Sequence, residues 1–248
     1  DDQVLREPHA LRICRAVNHL RSDLLSGFTT LRDLGTEGVG FADIGLRDAV
    51  EQGIVPGPRL LVATKAIVAT GSYAPRAGFA PEVELPQGAD EADLDSIPRV
   101  VRSQIRAGAD LIKVYADNSR GPTFSVEELR LLVETAKSQG RPVAAHATTK
   151  GGMLRAASAG VDTIEHGQGG DAVVFELMAE RGIAWCPTLA AHEAYARYAG
   201  WRRGIDPEPE LLRQARAAFK LALEAKVAII NGSDLGVFAH GDGVRELE

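Results

Sequence analysis

Seven short apolar runs alternate along this chain with longer stretches in which apolar residues return at helical spacing. The runs cover 28–32, 59–63, 111–115, 143–146, 163–166, 183–186 and 227–230, and each reads as a strand. Between them the periodicity predicts helices over 11–26, 41–52, 97–107, 125–139, 150–159, 171–181 and 209–225. The clearest is 125–139. There Leu129, Leu132, Val133 and Ala136 form one apolar face, and Ser125 with Glu128 makes a capping box at the start. Gly27, Gly108, Gly140, Gly160 and Gly182 sit just ahead of strands, where a helix has to stop and reverse.

Apolar strands alternating with helices predict a parallel sheet covered on both faces, with right-handed crossovers. An open doubly wound sheet and a closed barrel both satisfy that pattern. No G-x-G-x-x-G follows the first strand, which argues against a nucleotide-binding open sheet. Polar residues instead end at least four strands, which is the habit of barrels whose chemistry gathers at the strands' carboxyl ends. The expectation is an α/β fold, a (β/α)8 TIM-type barrel. Seven strands leave it one short of closure. The chain starts at Asp1 without a Met and stops at Glu248 soon after a strand, so we expect an incomplete barrel domain over 1–248 that lacks strand one. Two stretches, 64–96 and 189–209, break the alternation, and both are expected to be irregular loops that shape a pocket.

Composition narrows the function classes. Hydrophobic residues at 45% and charged residues at 25% suit a single globular domain. No apolar stretch is long enough to cross a bilayer, so a membrane is not an expected partner. The 28 Lys and Arg residues are interspersed with 34 Asp and Glu, for a formal charge of -6, and no basic stripe exists to track nucleic acid. Cys14 and Cys186 are too few for a disulfide framework and lack C-x-x-C spacing. They predict a reducing, cytoplasmic setting, and both read as core residues. Association into a homo-oligomer is compatible with all of this.

The chemistry concentrates in four residues, Lys113, His146, His166 and Asp234, each ending an apolar run. Each alone has a plain explanation: a strand histidine can be a hydrogen-bonded core residue, a lysine can snorkel, and Ser-Asp-Leu-Gly is ordinary turn chemistry. On a barrel, however, they fall at the carboxyl ends of strands four, five, six and eight, and divalent ions take histidine nitrogen and carboxylate oxygen together. Lys113 fits in two ways. It could act as a neutral Schiff-base amine, or its nitrogen could combine with carbon dioxide as a carbamate, an anionic bridging ligand. The carbamate gives all four residues a task, whereas the Schiff base leaves His146 and His166 without one.

These residues, with Phe28-Thr-Thr-Leu-Arg-Asp33, Ala144-Ala-His-Ala-Thr148, Asp162-Thr-Ile-Glu-His-Gly167 and Gly232-Ser-Asp-Leu-Gly236, resemble the amidohydrolase superfamily. Within it, the likeness is to the branch of Xaa-Pro dipeptidases (prolidases), metallo-carboxypeptidases and imidazolonepropionase-like proteins. It runs from Leu11 to about Glu248. The resemblance implies a carboxylated Lys113 bridging two divalent metals, zinc being the expected element. It makes His146 and His166 ligands of the second metal, and Asp234 a ligand of the first and the proton shuttle. It also implies parts this sequence does not contain. A His-x-His pair from strand one is absent, since His9 and His19 lie ten apart in a helical region, and so is a small flanking β-sandwich domain.

The activity implied is hydrolysis of a C–N amide or peptide bond in a small peptide-like substrate by a metal-activated water, dipeptidase-like or carboxypeptidase-like. The strand-four lysine favours a two-metal hydrolase over one-metal relatives. A cyclic-amide hydrolase, a metal-free Schiff-base lyase using Lys113, and a non-catalytic truncated barrel are the alternatives. Tyr73, Arg76, Tyr115, His192 and His240 fall on loops or strand ends at the same face and are candidate substrate contacts.

Overall fold

A computed structural model describes residues 2–73, 88–118 and 120–247 of the chain. In order, the elements are α1 (Asp2–Arg6), α2 (His9–Leu25), β1 (Thr30–Asp33), α3 (Ala42–Glu51), β2 (Arg59–Val62), β3 (Ala66–Val68), β4 (Ala89–Glu91), α4 (Ile97–Ala107) and β5 (Ile112–Tyr115). There follow β6 (Asp117–Asn118), β7 (Gly121–Pro122), α5 (Val126–Lys137), β8 (Val143–Ala147), α6 (Lys150–Ala159), β9 (Thr163–His166) and α7 (Ala172–Glu180). The last are β10 (Ala184–Cys186), α8 (Leu189–Tyr198), α9 (Glu210–Glu224) and a 3-10 segment, Gly243–Leu247. The chain divides into two compact units. The first takes in the described residues up to Tyr115 together with Leu131–Val143, and the second Ala116–Arg130 with the described residues from Ala144 onward.

In the first unit β1 pairs with β2 in parallel, from Thr30 opposite Arg59 to Asp33 opposite Val62, with α3 as the crossover. Leu20, Leu60 and Val62 form the core there, against Leu31, Ile44, Leu46 and Val50. β3 pairs in parallel with β4 and β5, Ala66 opposite Ala89 and Ile67 opposite Val114. Helix α4 covers this sheet because Ile97, Val100, Val101 and Gln104 recur at helical spacing and are all buried. Each fully buried aliphatic side chain of this kind contributes about 1.5–3 kcal/mol. Thr64 breaks the chain between β2 and β3 with φ at 66°. Its amide donates to the buried Asp43 carboxylate at 2.7 Å, and Asp43 also accepts from Ile44. Burial, with help from the charge of Asp33, pushes the Asp43 carboxyl up to about 7.

In the second unit β8, β9 and β10 run parallel, Ala145 opposite Ile164 and Ile164 opposite Trp185. The capping box forms as read: the Ser125 amide donates to Glu128 at 2.8 Å and the Glu128 amide to the Ser125 hydroxyl at 3.1 Å. Helix α6 starts at Thr149, whose hydroxyl accepts from Gly152, and α7 at Asp171, whose carboxylate accepts from Val174. Trp185, Phe175 and Ile164 are fully buried between sheet and helices.

Several sequence expectations need correction. The stretch 189–209 begins with helix α8, not a loop, because Ala190, Ala191, Ala194 and Ala196 are strong helix formers that are also small enough to be buried. Within 64–96, β3 and β4 add strands to the sheet, while Arg76 lies outside the described residues. The run 227–230 makes only an isolated parallel bridge, Ile229 to Trp185, since β10 is its one ladder neighbour among the described residues. The hairpin of β6 and β7 had no period to betray it at two residues a strand. Cys186 is buried as expected, but Cys14 is exposed on α2, where only Leu20 and Asp23 are buried. No helix among the described residues is long and apolar enough to cross a membrane.

The tie between α3 and the β2–β3 break predicts a measurable cost. Asp43→Ala leaves the buried Thr64 amide without an acceptor and should lower the free energy of urea unfolding by about 2 kcal/mol. Asp43→Asn, which keeps one acceptor oxygen, should cost less. A change under about 0.5 kcal/mol for the alanine variant would show that water satisfies Thr64 instead.

Candidate functional site

The two strand histidines meet in the second unit. In the β8–β9 register His146 faces Glu165 and Ala147 faces His166, so strand alternation alone would send the two imidazoles to opposite faces. The alternation ends at His166, whose φ is 73°, and the rings lie with centroids 4.6 Å apart at 63° to each other. Left-handed backbone at a residue other than glycine costs about 1–3 kcal/mol and persists only where the surroundings over-determine it. Three contacts do so here. The Trp185 indole N–H donates to the His166 carbonyl at 3.0 Å, the Gly167 amide donates to Ala147 at 3.1 Å, and His166 Nδ1 lies 2.8 Å from the Thr188 hydroxyl. Gly167 itself has no room for a side chain, since a Cβ would lie 2.5 Å from Trp185 Nε1.

His146 has a buried carboxylate as its neighbour. Its Nε2 lies 3.7 Å from Oδ1 of Asp117, a carboxylate that is 1% exposed. Asp117 accepts the Thr148 amide at 2.9 Å and the Thr149 amide at 2.7 Å, and both threonine hydroxyls as well. Burial pushes its carboxyl up while these bonds pull it back. Gly152 makes the approach possible, because a Cβ there would sit 2.2 Å from Asp117 Oδ2. Asp117 thus fixes the loop that leaves β8 after Ala147, one residue beyond His146. Sequence pattern alone does not single it out, and its only signal is an acid just beyond the run that carries Lys113.

The remaining candidates are placed as follows. Lys113 belongs to the first unit, on β5, is 4% exposed, and has its Nζ 5.7 Å from the centroid of the Tyr115 ring. Tyr73 and Tyr115 pack edge to face at 6.0 Å, and both phenols donate to Glu37, whose backbone is left-handed at φ 46°. Burial and the Glu37 charge push the Tyr73 phenol up. Glu37 is a second residue that the sequence pattern leaves unmarked. In the second unit, Asp234 is exposed in a turn with φ at 55°, and its carbonyl accepts from Val237. His240 lies half-buried beyond Phe238. His192, in the first turn of α8, is 5% exposed, and its Nδ1 has no hydrogen-bond partner among the described residues. Burial pushes its imidazole down to about 4.

The donor set decides what ion the site could take. Among the described residues no group of three or more His, Cys, Asp or Glu side chains is arranged to hold a metal ion. Two adjacent imidazoles are present, each with one ring nitrogen turned toward an anchoring oxygen, and that is how protein scaffolds orient histidine ligands whose other nitrogen takes a cation. Borderline divalent ions of the zinc type suit this pair.

His192 yields a pH prediction. An unfolded histidine takes a proton near 6.5, whereas the folded one stays neutral to about 4, so stability is lost as pH falls through that window. The loss assigned to this residue is about 3 kcal/mol. Unfolding free energies at pH 7.5 and 4.5 should therefore differ more for the parent than for His192→Leu, and equal losses in both would refute the assignment.

Comparison with known proteins identifies the family. The profile described as the amidohydrolase family matches residues 15–246. The chain is 33% identical over 244 residues to the ochratoxinase of Aspergillus niger, covering 85% of this chain and 48% of that protein. It therefore spans about half the length of the curated relatives it matches. A crystal structure of a Xaa-Pro dipeptidase with bound methionine in the active site superposes at a TM-score of 0.80 with 34% identity, covering 94% of this chain and 61% of that one. A prolidase complexed with N-methylphosphonate-L-proline gives 0.78 and 31%, covering 92% and 60%. The crystal structure of the A. niger ochratoxinase gives 0.78 and 30%, covering 98% and 60%. The α/β fold is thus part of a barrel of their kind. The chain belongs to the amidohydrolase family.

Proposed function

We propose that this chain carries the divalent-metal centre of a hydrolase that cleaves the C–N amide bond of a small peptide-like substrate, in the manner of an Xaa-Pro dipeptidase or a carboxypeptidase. The observation that carries the reading is the His146–His166 pair, two imidazoles with ring centroids 4.6 Å apart, His166 hydrogen-bonded to Thr188 and His146 3.7 Å from the Asp117 carboxylate. Family membership and the similarity to a Xaa-Pro dipeptidase, a prolidase and an ochratoxinase support the reaction class.

In this reading His146 and His166 hold one cation, and Lys113, buried on β5, is the residue expected to become an anionic carbamate, its neutral amine adding to carbon dioxide and releasing a proton. The bound metal would polarise the scissile carbonyl and lower the pKa of water toward neutrality. Asp234 is the proton carrier. It accepts the proton of the attacking water and returns it to the departing nitrogen, so that the amine leaves neutral. Its exposure at the left-handed turn after Ser233 suits a group that must reach both partners. His192 stays neutral at physiological pH and can offer a hydrogen bond to substrate without adding charge.

The test is metal analysis with kinetics on the full-length protein. Purified protein should carry roughly two zinc equivalents. His166→Ala should lose metal and activity on a dipeptide ending in proline. Asp234→Asn should lower kcat about 1000-fold. Metal-free parent protein with full activity would overturn the reading, and covalent trapping of a keto substrate on Lys113 by borohydride would replace it with Schiff-base chemistry.

A further inference from the structure

Helix α8 starts in an unusual way. Its N-cap residue, Thr188, has φ 49° and ψ 45° and makes no side-chain bond to the helix. Threonine is a good cap only from extended backbone, where its hydroxyl can reach the amides two or three residues on. In left-handed backbone it is a steric outlier because of its branched Cβ. Here the hydroxyl is turned to His166 Nδ1 at 2.8 Å instead. Diverting it leaves the first amides of α8 without their usual acceptor.

That acceptor comes from a distant part of the chain. Glu246, in the 3-10 segment, accepts the Leu189 amide at 2.8 Å with one carboxylate oxygen and the Ala190 amide at 2.7 Å with the other. The same segment grips α8 again where Arg245 meets Glu193 at 3.3 Å. A carboxylate bridging two amides at a helix N-terminus is held by charge-assisted hydrogen bonds and by the helix dipole together.

We propose that Glu246 is a positioning residue of the metal centre: by clamping the Leu189 and Ala190 amides it holds Thr188 in left-handed backbone, and Thr188 in turn aims the His166 imidazole. The clamp also links the segment that follows Asp234 to the residue that orients His166, so the loops after β10 and after Ile230 are held in register. This inference rests on the proposed function, since it takes His166 to be a metal ligand.

The experiment is a double-mutant cycle on zinc affinity in the full-length protein, read by competition with a chromophoric chelator at pH 8. Burial, with the charge of Asp234 adding, pushes the Glu246 carboxyl up to about 7, and at pH 8 it is mainly ionised. Glu246→Gln should weaken zinc binding about 10-fold, as should Thr188→Val. The double variant should be little worse than either single one, because both act on one element. Thr188→Ser keeps the hydroxyl and should bind zinc as the parent does. Additive losses in the double variant, or parental affinity in Glu246→Gln with a lowered melting temperature, would reduce Glu246 to a helix cap. Should Glu246→Gln fail to fold, Glu246→Asp takes its place in the cycle, and parental affinity there would likewise leave Glu246 a helix cap only. His166→Ala in the same titration separates the two levels. Undiminished zinc binding in that variant defeats the metal reading itself, while a loss in His166→Ala alone defeats only the role of Glu246.

Discussion

The hydrogen bond between Thr188 and His166 is the contact on which the candidate site turns. An imidazole at the end of a strand can rotate freely unless one of its nitrogens is tied, and Thr188 Oγ1 ties Nδ1 at 2.8 Å. His166 and Thr188 both sit in left-handed conformation, at φ 73° and 49°, and Asp234 does as well at 55°. Each would relax if its neighbours allowed. The neighbours do not, because Trp185 holds the His166 carbonyl and is itself fully buried against Phe175, their ring centroids 5.0 Å apart.

The second unit makes room for this by using small residues where the backbone must come close. Gly152 lets α6 approach Asp117, and Gly167 lets the chain pass close to Trp185. A methyl group at either glycine would collide with a group that orients a histidine. Core packing and the geometry of the candidate site are therefore set by the same residues, so substitutions that look purely structural should disturb the histidine pair.

The legibility of the sequence follows from range. Helices such as α4 and α5 are written in local period and caps, and they form where read. Lys113, His146, His166 and Asp234 stand out because a polar residue ending an apolar run conflicts with its surroundings. Helix α8 is hidden because its buried face is alanine and its N-cap residue makes no local capping bond. Strands β3 and β4 are hidden by the Pro- and Gly-rich stretch around them. Asp117, Glu37 and Glu246 have no local signature at all. Their partners lie 31, 36 and 57 residues away, and nothing in a linear pattern marks a carboxylate for contacts of that range.

Anomalous diffraction at the zinc edge from crystals of the full-length protein tests the account most directly. The account predicts a peak about 2.1 Å from one ring nitrogen each of His146 and His166. A peak bound only elsewhere, with the two imidazoles free of metal, would contradict it.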